Sequence, residues 1–255
     1  MFPDTSCFSK VNALFNKSGG VMVDAGVIVG DNTYAGLMTI TSILNQTMPP
    51  ENLYILQNPH KGKCLTAEAP VELTALLQRS QTNCMVMYAK NIPMVEARIT
   101  LEEKMSNRLL FMSDGDHFYP PDFIRSACDA FLIQPHKIFT GGYVTCEVSS
   151  TGLSSSTFDS MTKADDYVSG GTFIYPHALK GLWSKVKDYT PDLGEDRVWR
   201  ALAYEAGFSK LTAYDIQVLH LTTHSGSKYP KGMPAKARAY CDKVLGEKTV
   251  RTQEI

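Results

Sequence analysis

The sequence lacks several features that would assign it to a broad class. Lysine and arginine number 25 against 26 aspartate and glutamate, so there is no positive excess of the kind that drives sequence-independent nucleic-acid binding. The six cysteines include no Cys-x-x-Cys pair in a chain of 255 residues, which favours free thiols over a disulfide framework. No apolar run approaches the roughly 20 residues of a membrane span, and residues 1–20 show no basic segment followed by an apolar one. We therefore expect a soluble, cytoplasmic protein without a transmembrane segment.

What the sequence does contain is a repeated alternation of strand and helix patterns. Residues 21–30 are rich in β-branched residues and end at a polar turn, which is typical of a buried strand. A helical pattern and a second short strand follow, and such strand-helix-strand units form parallel sheet. We expect an α/β fold with a mixed, mostly parallel sheet flanked by helices. The predicted strands are 21–30, 52–56, 84–88, 108–112, 137–148, 168–175 and 218–221, and the predicted helices are 37–44, 70–80, 94–105, 121–132, 177–186 and 195–206.

Two carboxylates one residue apart, Asp114 and Asp116, come directly after the strand at 108–112. In open α/β sheets ligands bind at the carboxyl ends of strands. Mg²⁺ and Mn²⁺ commonly take one or two protein carboxylates beside the phosphate oxygens of a substrate. The pair can therefore hold a metal ion under a phosphorylated ligand. A plain turn is the alternative, because Asp and Gly are common turn residues.

The surrounding segment, FMSDGDHFYPPDF at residues 111–123, resembles the D-x-D segment of glycosyltransferases with the GT-A fold, above all their large family 2 group. Two later features extend the resemblance. Gly170-Gly171 precede a Glu195-Asp196 pair that opens a predicted helix, a combination similar to that of inverting enzymes of this fold. His224, in THSGSKYP, resembles their late metal-binding histidine, and its closest likeness is the H-S-x-x-K segment of the β-1,4-galactosyltransferases. The resemblance covers roughly residues 27–230.

The resemblance implies a metal-dependent hexosyl- or pentosyltransferase that moves a sugar from a nucleotide-diphosphate sugar, UDP-sugar by expectation, to an acceptor hydroxyl with inversion. Asp114 would lie near the donor's ribose, Asp116 would bind Mn²⁺ or Mg²⁺, and Asp196 would act as the general base. The expected site residues are, for the metal, Asp114, Asp116 and His224; for catalysis, Asp196 and Glu195; for the acceptor pocket, Gly170 and Gly171; and for the donor, Asp31, Gln57, Asn58, Arg98, Asp114 and Lys228.

Three of these assignments have a plain structural alternative. Acids at a helix start cap the free N–H groups and complement the helix dipole. Arg98, on an amphipathic helix, can equally belong to a solvated face. His220 competes with His224 as the metal ligand, although its place in the apolar run 218–221 indicates a core histidine.

The resemblance also implies one GT-A domain over residues 1–255. A nucleotide-sugar-binding half is expected at about 21–116, an acceptor-binding half at about 117–230, and a C-terminal helix and tail at 231–255. Family 2 members usually carry an acidic pair after the second strand that binds uracil. Here that place holds Gln57 and Asn58, so the nucleotide base is not specified by the motif.

Two other functions compete with the transferase. A nucleotidyltransferase would need a Gly-rich loop bearing Arg or Lys after the first strand, and GDNTYAG does not fit that description. A non-catalytic sugar- or nucleotide-binding module is the second, and the intact acidic pairs argue against it. The sequence leaves the oligomeric state open. It also leaves the acceptor open, which can be a glycan, a lipid-linked sugar, a protein or a hydroxylated DNA base. Basic residues after position 227 are compatible with a polyanionic acceptor, but they are also typical of a solvated tail.

Overall fold

The structure of the protein is a computed structural model that describes residues 21–60, 64–149, 152–153, 172–192, 194–223 and 233–245. These residues form one nine-stranded sheet with helices on both faces. The strands are β1 (Val23–Val29), β2 (Asn52–Gln57), β3 (Asn83–Tyr88), β4 (Leu109–Asp114), β5 (His117–Phe118), β6 (Lys137–Ser149), β7 (Gly152–Leu153), β8 (Phe173–Pro176) and β9 (Ser209–Thr223). The helices are α1 (Thr33–Leu44), α2 (Leu65–Glu68), α3 (Pro70–Arg79), α4 (Met94–Lys104), α5 (Phe123–Ile133), α6 (Leu182–Val186), α7 (Glu195–Glu205) and α8 (Ala235–Leu245).

The strand order is β3-β2-β1-β4-β8-β6-β9-β5, and β7 pairs with β6 outside this path. Strands β1 to β4 pair in parallel, and so do β6 and β9. Strand β8 is antiparallel to both of its neighbours, β4 and β6, so the two parallel groups run in the same direction. The prediction of an α/β fold with a mixed, mostly parallel sheet is confirmed.

The hydrophobic core lies in two layers, one on each face of the sheet. Helices α1, α3 and α5 bury their apolar side chains on one face, and α4, α6, α7 and α8 bury theirs on the other. All seven residues of β1 are buried, as expected for a central strand covered on both sides. This arrangement leaves the carboxyl edge of the sheet as the place where polar side chains collect.

Several element boundaries differ from the sequence prediction. Helix α1 begins at Thr33 rather than residue 37, because the Asn32 side chain caps it by accepting the Ala35 N–H at 3.1 Å. The single helix predicted at 177–186 is a 3₁₀ turn followed by α6, separated by Gly181 with φ of 92°. Strand β9 covers 15 residues instead of the four predicted. In the part of the chain that is described, no helix has both the length and the hydropathy needed to cross a membrane.

Candidate active site

The two acids of the D-x-D segment stand at the carboxyl end of β4, and a short antiparallel pairing brings a distant histidine to them. Asp114 is the last residue of β4, and β5 follows after two residues. Strand β5 pairs with β9 so that His117 lies opposite His220. The Leu221 N–H also donates to the Asp116 carbonyl at 2.6 Å. The sheet itself therefore places His220 beside Asp116.

Glycine is required at position 115 because the backbone there passes close to the backbone of β1. A Cβ atom at this position would lie 2.7 Å from the Ile28 carbonyl oxygen and 3.0 Å from the Val29 Cα. Gly115 does not have a positive φ, so a left-handed backbone conformation is not the reason for glycine at this position. The segment between Asp114 and Asp116 instead passes directly over the end of β1, which a side chain would prevent.

Asp116, His117 and His220 form a cluster that we call the Asp-His-His cluster. The Asp116 Oδ1 atom lies 2.9 Å from His117 Nδ1, and Asp116 Oδ2 lies 3.2 Å from His220 Nε2. The imidazole rings stack with centroids 4.7 Å apart and an interplanar angle of 7°. One ligand atom from each residue lies within 4.8 Å of the others. One carboxylate and two imidazoles suit a divalent transition metal such as Mn²⁺, so the donor set fits a metal ion.

Within the Asp-His-His cluster, the Asp116 carboxylate and the histidine side chains shift each other's pKa values in favour of the charged forms. Burial alone would raise the pKa of Asp116, but hydrogen bonds with His117 and His220 outweigh burial and hold that pKa well below its usual range. Burial lowers the pKa of His220, and its hydrogen bond with Asp116, together with the charges of Asp116 and Asp114, raises it above its ordinary value on balance. The carboxylate is therefore ionised, and a metal ion binding at His220 would compete with a proton for the imidazole nitrogen.

Asp114 faces a different partner from Asp116. Its Oδ1 atom accepts a hydrogen bond of 2.8 Å from Nη2 of Arg98, and its side chain is 22% exposed. Burial raises the pKa of Asp114; Arg98 opposes the rise, and the Asp116 carboxylate adds to it. Asp114 thus lies at the carboxyl edge of the sheet, and its carboxylate is fixed by an ion pair with the buried Arg98.

Arg98 lies on α4 and is completely buried, so the alternative of a solvated face is wrong. Its Nη2 atom, which donates to Asp114, also lies 3.4 Å from Glu195 Oε1. The guanidinium carbon lies 5.0 Å from the ring centroid of Trp183, within the range of a cation–π contact. One buried cation therefore joins the D-x-D segment to the Glu195-Asp196 pair.

Glu195 and Asp196 are the first two residues of α7, which starts after Gly194 with φ of 75°. Burial, with the charges of Asp196 and Asp114, raises the pKa of Glu195 to about 8 against the opposing effect of Arg98. Burial also raises the pKa of Asp196, although the Arg197 N–H donates to its Oδ1 at 2.8 Å. That contact is a helix-end bond of the kind that the capping alternative predicts.

The three residues expected in the nucleoside pocket follow β1 or end β2, at the same edge of the sheet as Asp114. Asp31 is exposed, and its Oδ1 accepts the His60 N–H at 2.9 Å. The other two side chains are buried and hydrogen-bond the backbone of neighbouring segments. Gln57 accepts the Thr66 N–H at 3.0 Å, while the Asn58 amide both donates to and accepts from the backbone of Ile92. Asp31 is therefore the member of this set that faces solvent.

Four expected site residues lie outside the described residues: Gly170, Gly171, His224 and Lys228. In contrast, the structure places two further histidines beside Asp116: His220, the competitor of His224 in the sequence, and His117, to which the sequence assigns no role. His220 is not the core side chain that its apolar neighbours indicate, since it is 35% exposed and contacts Asp116. His117 directly follows the D-x-D segment, and this adjacency is the sequence signal that could have identified it.

Solved structures with a similar fold include the glycosyltransferases GalNAc-T7 and TarS. The structure of GalNAc-T7 with UDP, GalNAc and Mn²⁺ superposes with a TM-score of 0.60 at 11% identity, covering 90% of this chain and 49% of that one. S. aureus TarS 1–349 in complex with UDP superposes with a TM-score of 0.54 at 14% identity, covering 79% of this chain and 61% of that one. The UDP-GlcNAc complex of the same TarS fragment superposes with a TM-score of 0.54 at 15% identity, covering 82% of this chain and 60% of that one.

The chain therefore has the GT-A fold, and this prediction is confirmed. It spans about half of the GalNAc-T7 chain and about three-fifths of the TarS fragment. No protein-family model matches the sequence, and no curated protein matches it either.

Proposed function

We propose that the protein is a metal-dependent glycosyltransferase that moves a sugar from a UDP-sugar to an acceptor hydroxyl with inversion at the anomeric carbon. The observation that carries this proposal is the Asp-His-His cluster at the carboxyl edge of a GT-A sheet. The UDP, UDP-GlcNAc and Mn²⁺ named for the structural neighbours are in keeping with it. The proposal treats residues 21–116 as the donor half and the later strands and helices as the acceptor half.

On the donor side, Asp116, His220 and His117 would hold Mn²⁺ or Mg²⁺, and the two imidazoles favour Mn²⁺. The cation, when bound, neutralises the charge that develops on the departing diphosphate. Asp114 would contact the ribose in a position fixed by its hydrogen bond with Arg98. Beyond the described residues, His224 stays proposed as a further metal ligand and Lys228 as a phosphate contact.

The base-binding pocket is proposed at the carboxyl ends of β1 and β2. Asp31 would hydrogen-bond the nucleoside directly, because its side chain is exposed at this edge. Gln57 and Asn58 would act by fixing helix α2 and the loop at Ile92, since their amides bind Thr66 and Ile92. Arg98, being buried, would act on the donor through Asp114.

On the acceptor side, Asp196 would take the proton of the acceptor hydroxyl while that oxygen bonds to the anomeric carbon. The bond from this carbon to the diphosphate oxygen breaks, and UDP leaves with the electron pair. Glu195, with a pKa of about 8, is mostly protonated at neutral pH and can donate a hydrogen bond to the acceptor. Gly170 and Gly171 are proposed to line the acceptor pocket.

The test is UDP release from a panel of UDP-sugars. We expect slow release in Mn²⁺ without acceptor, loss of release in EDTA, and loss in Asp116→Ala. Donor binding without any turnover, whichever acceptor is supplied, would make the protein a binding module. Pyrophosphate formation from UTP and a sugar 1-phosphate would make it a nucleotidyltransferase.

A further inference from the structure

Strand β3 forms one end of the sheet and, among the described residues, pairs on one side only, with β2. This pairing is continuous over all six residues of the strand, with no shift of register. The strand at the opposite end of the sheet, β5, has only two residues. Of the two edges, β3 is therefore the one long enough to form a full ladder with another strand.

The composition of β3 leaves this edge without the usual protection. Natural sheets commonly guard an edge strand with charged residues, proline or a bulge. Residues 80–89 contain no charged residue, no proline and no glycine, although 20% of the whole chain is charged. An uncharged, regular edge pairs readily with another strand, so we expect β3 to have a partner in the native protein.

The backbone groups that point away from β2 belong to three residues. The N–H groups of Asn83 and Ala89 donate to carbonyl oxygens of the β2 segment at 2.9 and 2.8 Å. In a parallel pair, the N–H and C=O of one residue point to the same side, and successive residues alternate between the two sides. The outward donors and acceptors are therefore those of Cys84, Val86 and Tyr88.

The side chains of β3 add an apolar surface on both faces of the sheet. Cys84 and Val86 pack against one core layer, and Met87 packs against the other. Two further side chains remain largely open to solvent, since Met85 is 48% exposed and Tyr88 is 59% exposed. Exposed large apolar side chains that adjoin one another mark interaction surfaces.

We propose that β3 pairs antiparallel with β3 of a second copy of this chain, about a twofold axis at Val86, and so joins two sheets into one. In this register Val86 lies opposite the partner's Val86, and Cys84 lies opposite the partner's Tyr88. Each such pair exchanges two N–H···O bonds, so every outward group of the three residues is satisfied. On the other face Met85 meets the partner's Met87, and the four methionines cover one another.

A second copy fits this edge because the strand is complementary to itself. The twofold axis uses the same surface on both copies, and the assembly closes at two. Uncharged residues meet uncharged residues along the whole ladder. Lys90, the first charged residue after β3, points toward the partner's Thr82, so the two copies of Lys90 lie at opposite ends of the interface.

Sedimentation velocity of the full chain, in EDTA and without nucleotide, tests the assembly. We expect the mass to rise with concentration and to reach that of two chains by about 100 µM. Met85→Lys buries a charge against the partner's Met87 and should weaken association by at least about tenfold. The matched control is Met38→Lys on α1, where Met38 is 40% exposed, and it should leave the mass unchanged.

The thiol introduced by Tyr88→Cys tests the register and does not depend on the behaviour of Met85→Lys. Directly opposite residues of this kind have Cα atoms about 5.5 Å apart, within the range of a disulfide. With diamide as the oxidant, the variant should give a covalent dimer through the partner's Cys84 on a non-reducing gel. Tyr88→Cys combined with Cys84→Ser should remain a single chain.

Three outcomes would overturn the proposal. A mass of one chain at every concentration would show that the edge is open or is covered by something other than a second copy. A dimer that Met85→Lys leaves intact would place the interface elsewhere, and absence of the cross-link would exclude the register. Neither measurement uses UDP release, so failure of this interface is distinct from failure of the transferase proposal.

Discussion

At Asp196, two possible roles make different demands on one side chain. As a helix-end acceptor it needs only an oxygen atom, and Oδ1 already receives the Arg197 N–H. As a general base it needs a carboxylate that can take a proton. Asparagine keeps the first property and loses the second, so one substitution separates the two roles.

We expect Asp196→Asn to keep its melting temperature, because Asn accepts a helix-end hydrogen bond about as well as Asp. Its turnover should fall by roughly 100- to 10,000-fold, the usual worth of positioned proton transfer. Initial rates at saturating donor and melting curves measure both. Glu195→Gln is the comparison, with a partial loss expected if that residue orients the acceptor. Near-normal turnover in Asp196→Asn would leave the residue only as an acceptor of a helix-end hydrogen bond.

At the scale of single residues, the sequence predicted the positions of side chains that belong to a local motif. Asp114 and Asp116 could be placed at a strand end because the apolar run before them stops abruptly. The position of His220 could not be predicted, since apolar neighbours on both sides indicate burial. Its contact with Asp116 arises from the pairing of β5 with β9, residues more than 100 positions apart, which no local pattern reports.

Among the elements, α4 has a central place because Arg98 connects it to β4 and α7. The guanidinium is buried beside Asp114 and Glu195 and stacks over Trp183 of α6. Removing one partner of a buried ionic group leaves the others uncompensated. The geometry of both halves of the candidate site therefore depends on this one side chain.

Arg98→Gln should destabilise the fold by about 3–5 kcal/mol, the usual cost of breaking a buried ionic contact. Arg125→Gln is the matched control: Arg125 is exposed and lies 3.8 Å from Asp122, so its loss should cost under about 1 kcal/mol. Urea denaturation measures both free energies of unfolding. Adding Asp114→Asn to Arg98→Gln should recover part of the loss, because Asp114 is the acid that Arg98 contacts at 2.8 Å. Equal costs for the two arginine variants would contradict this role of Arg98.

Elements with strong periodicity were predictable, and those defined by their neighbours were not. The central strands could be recognised because burial on both faces demands continuous apolar runs, as in β1. Strand β9 was predicted over four residues instead of 15 because its first part mixes polar and apolar side chains. Such a segment becomes a strand through its pairing with β6, which extends from Lys137 to Val148.

For the molecule as a whole, alternation of strands and helices was sufficient to predict the mostly parallel sheet. It was not sufficient to predict that β8 inserts antiparallel between β4 and β6, because a four-residue strand carries no information about its neighbours. That insertion joins strands β1 to β4 to β6 and β9. The position of the Asp-His-His cluster is thus a property of the complete sheet.

The stability of the whole fold should depend on pH through Glu195. Its pKa rises from the ordinary 4.5 to about 8 in the folded protein, so the native state keeps a proton that the unfolded chain releases. Between about pH 4.5 and 8 the unfolded state binds fewer protons, and stability therefore falls as pH rises through this window. Glu195→Gln removes the effect, so its melting temperature should fall less between pH 5 and 8.

The control for this pH dependence is Glu103→Gln, which changes an exposed glutamate on α4. This variant should follow the unmodified protein at every pH. Melting curves in EDTA keep metal binding out of the comparison. Parallel pH profiles for the unmodified protein and Glu195→Gln would show that the buried carboxyl does not hold the extra proton.

A metal ion at the Asp-His-His cluster is proposed to bind the diphosphate of the donor, and the thermal shift given by UDP with Mn²⁺ and with EDTA tests this. Without a cation, Asp114 and Asp116 would face the diphosphate as like charges. At UDP concentrations of about 100 times Kd we predict a rise of roughly 5–10 °C with Mn²⁺ and a much smaller one with EDTA. Asp116→Ala should abolish the difference, whereas Asp122→Ala, an exposed acid outside the cluster, should preserve it. Equal shifts with Mn²⁺ and with EDTA would contradict the metal site and the function proposed from it.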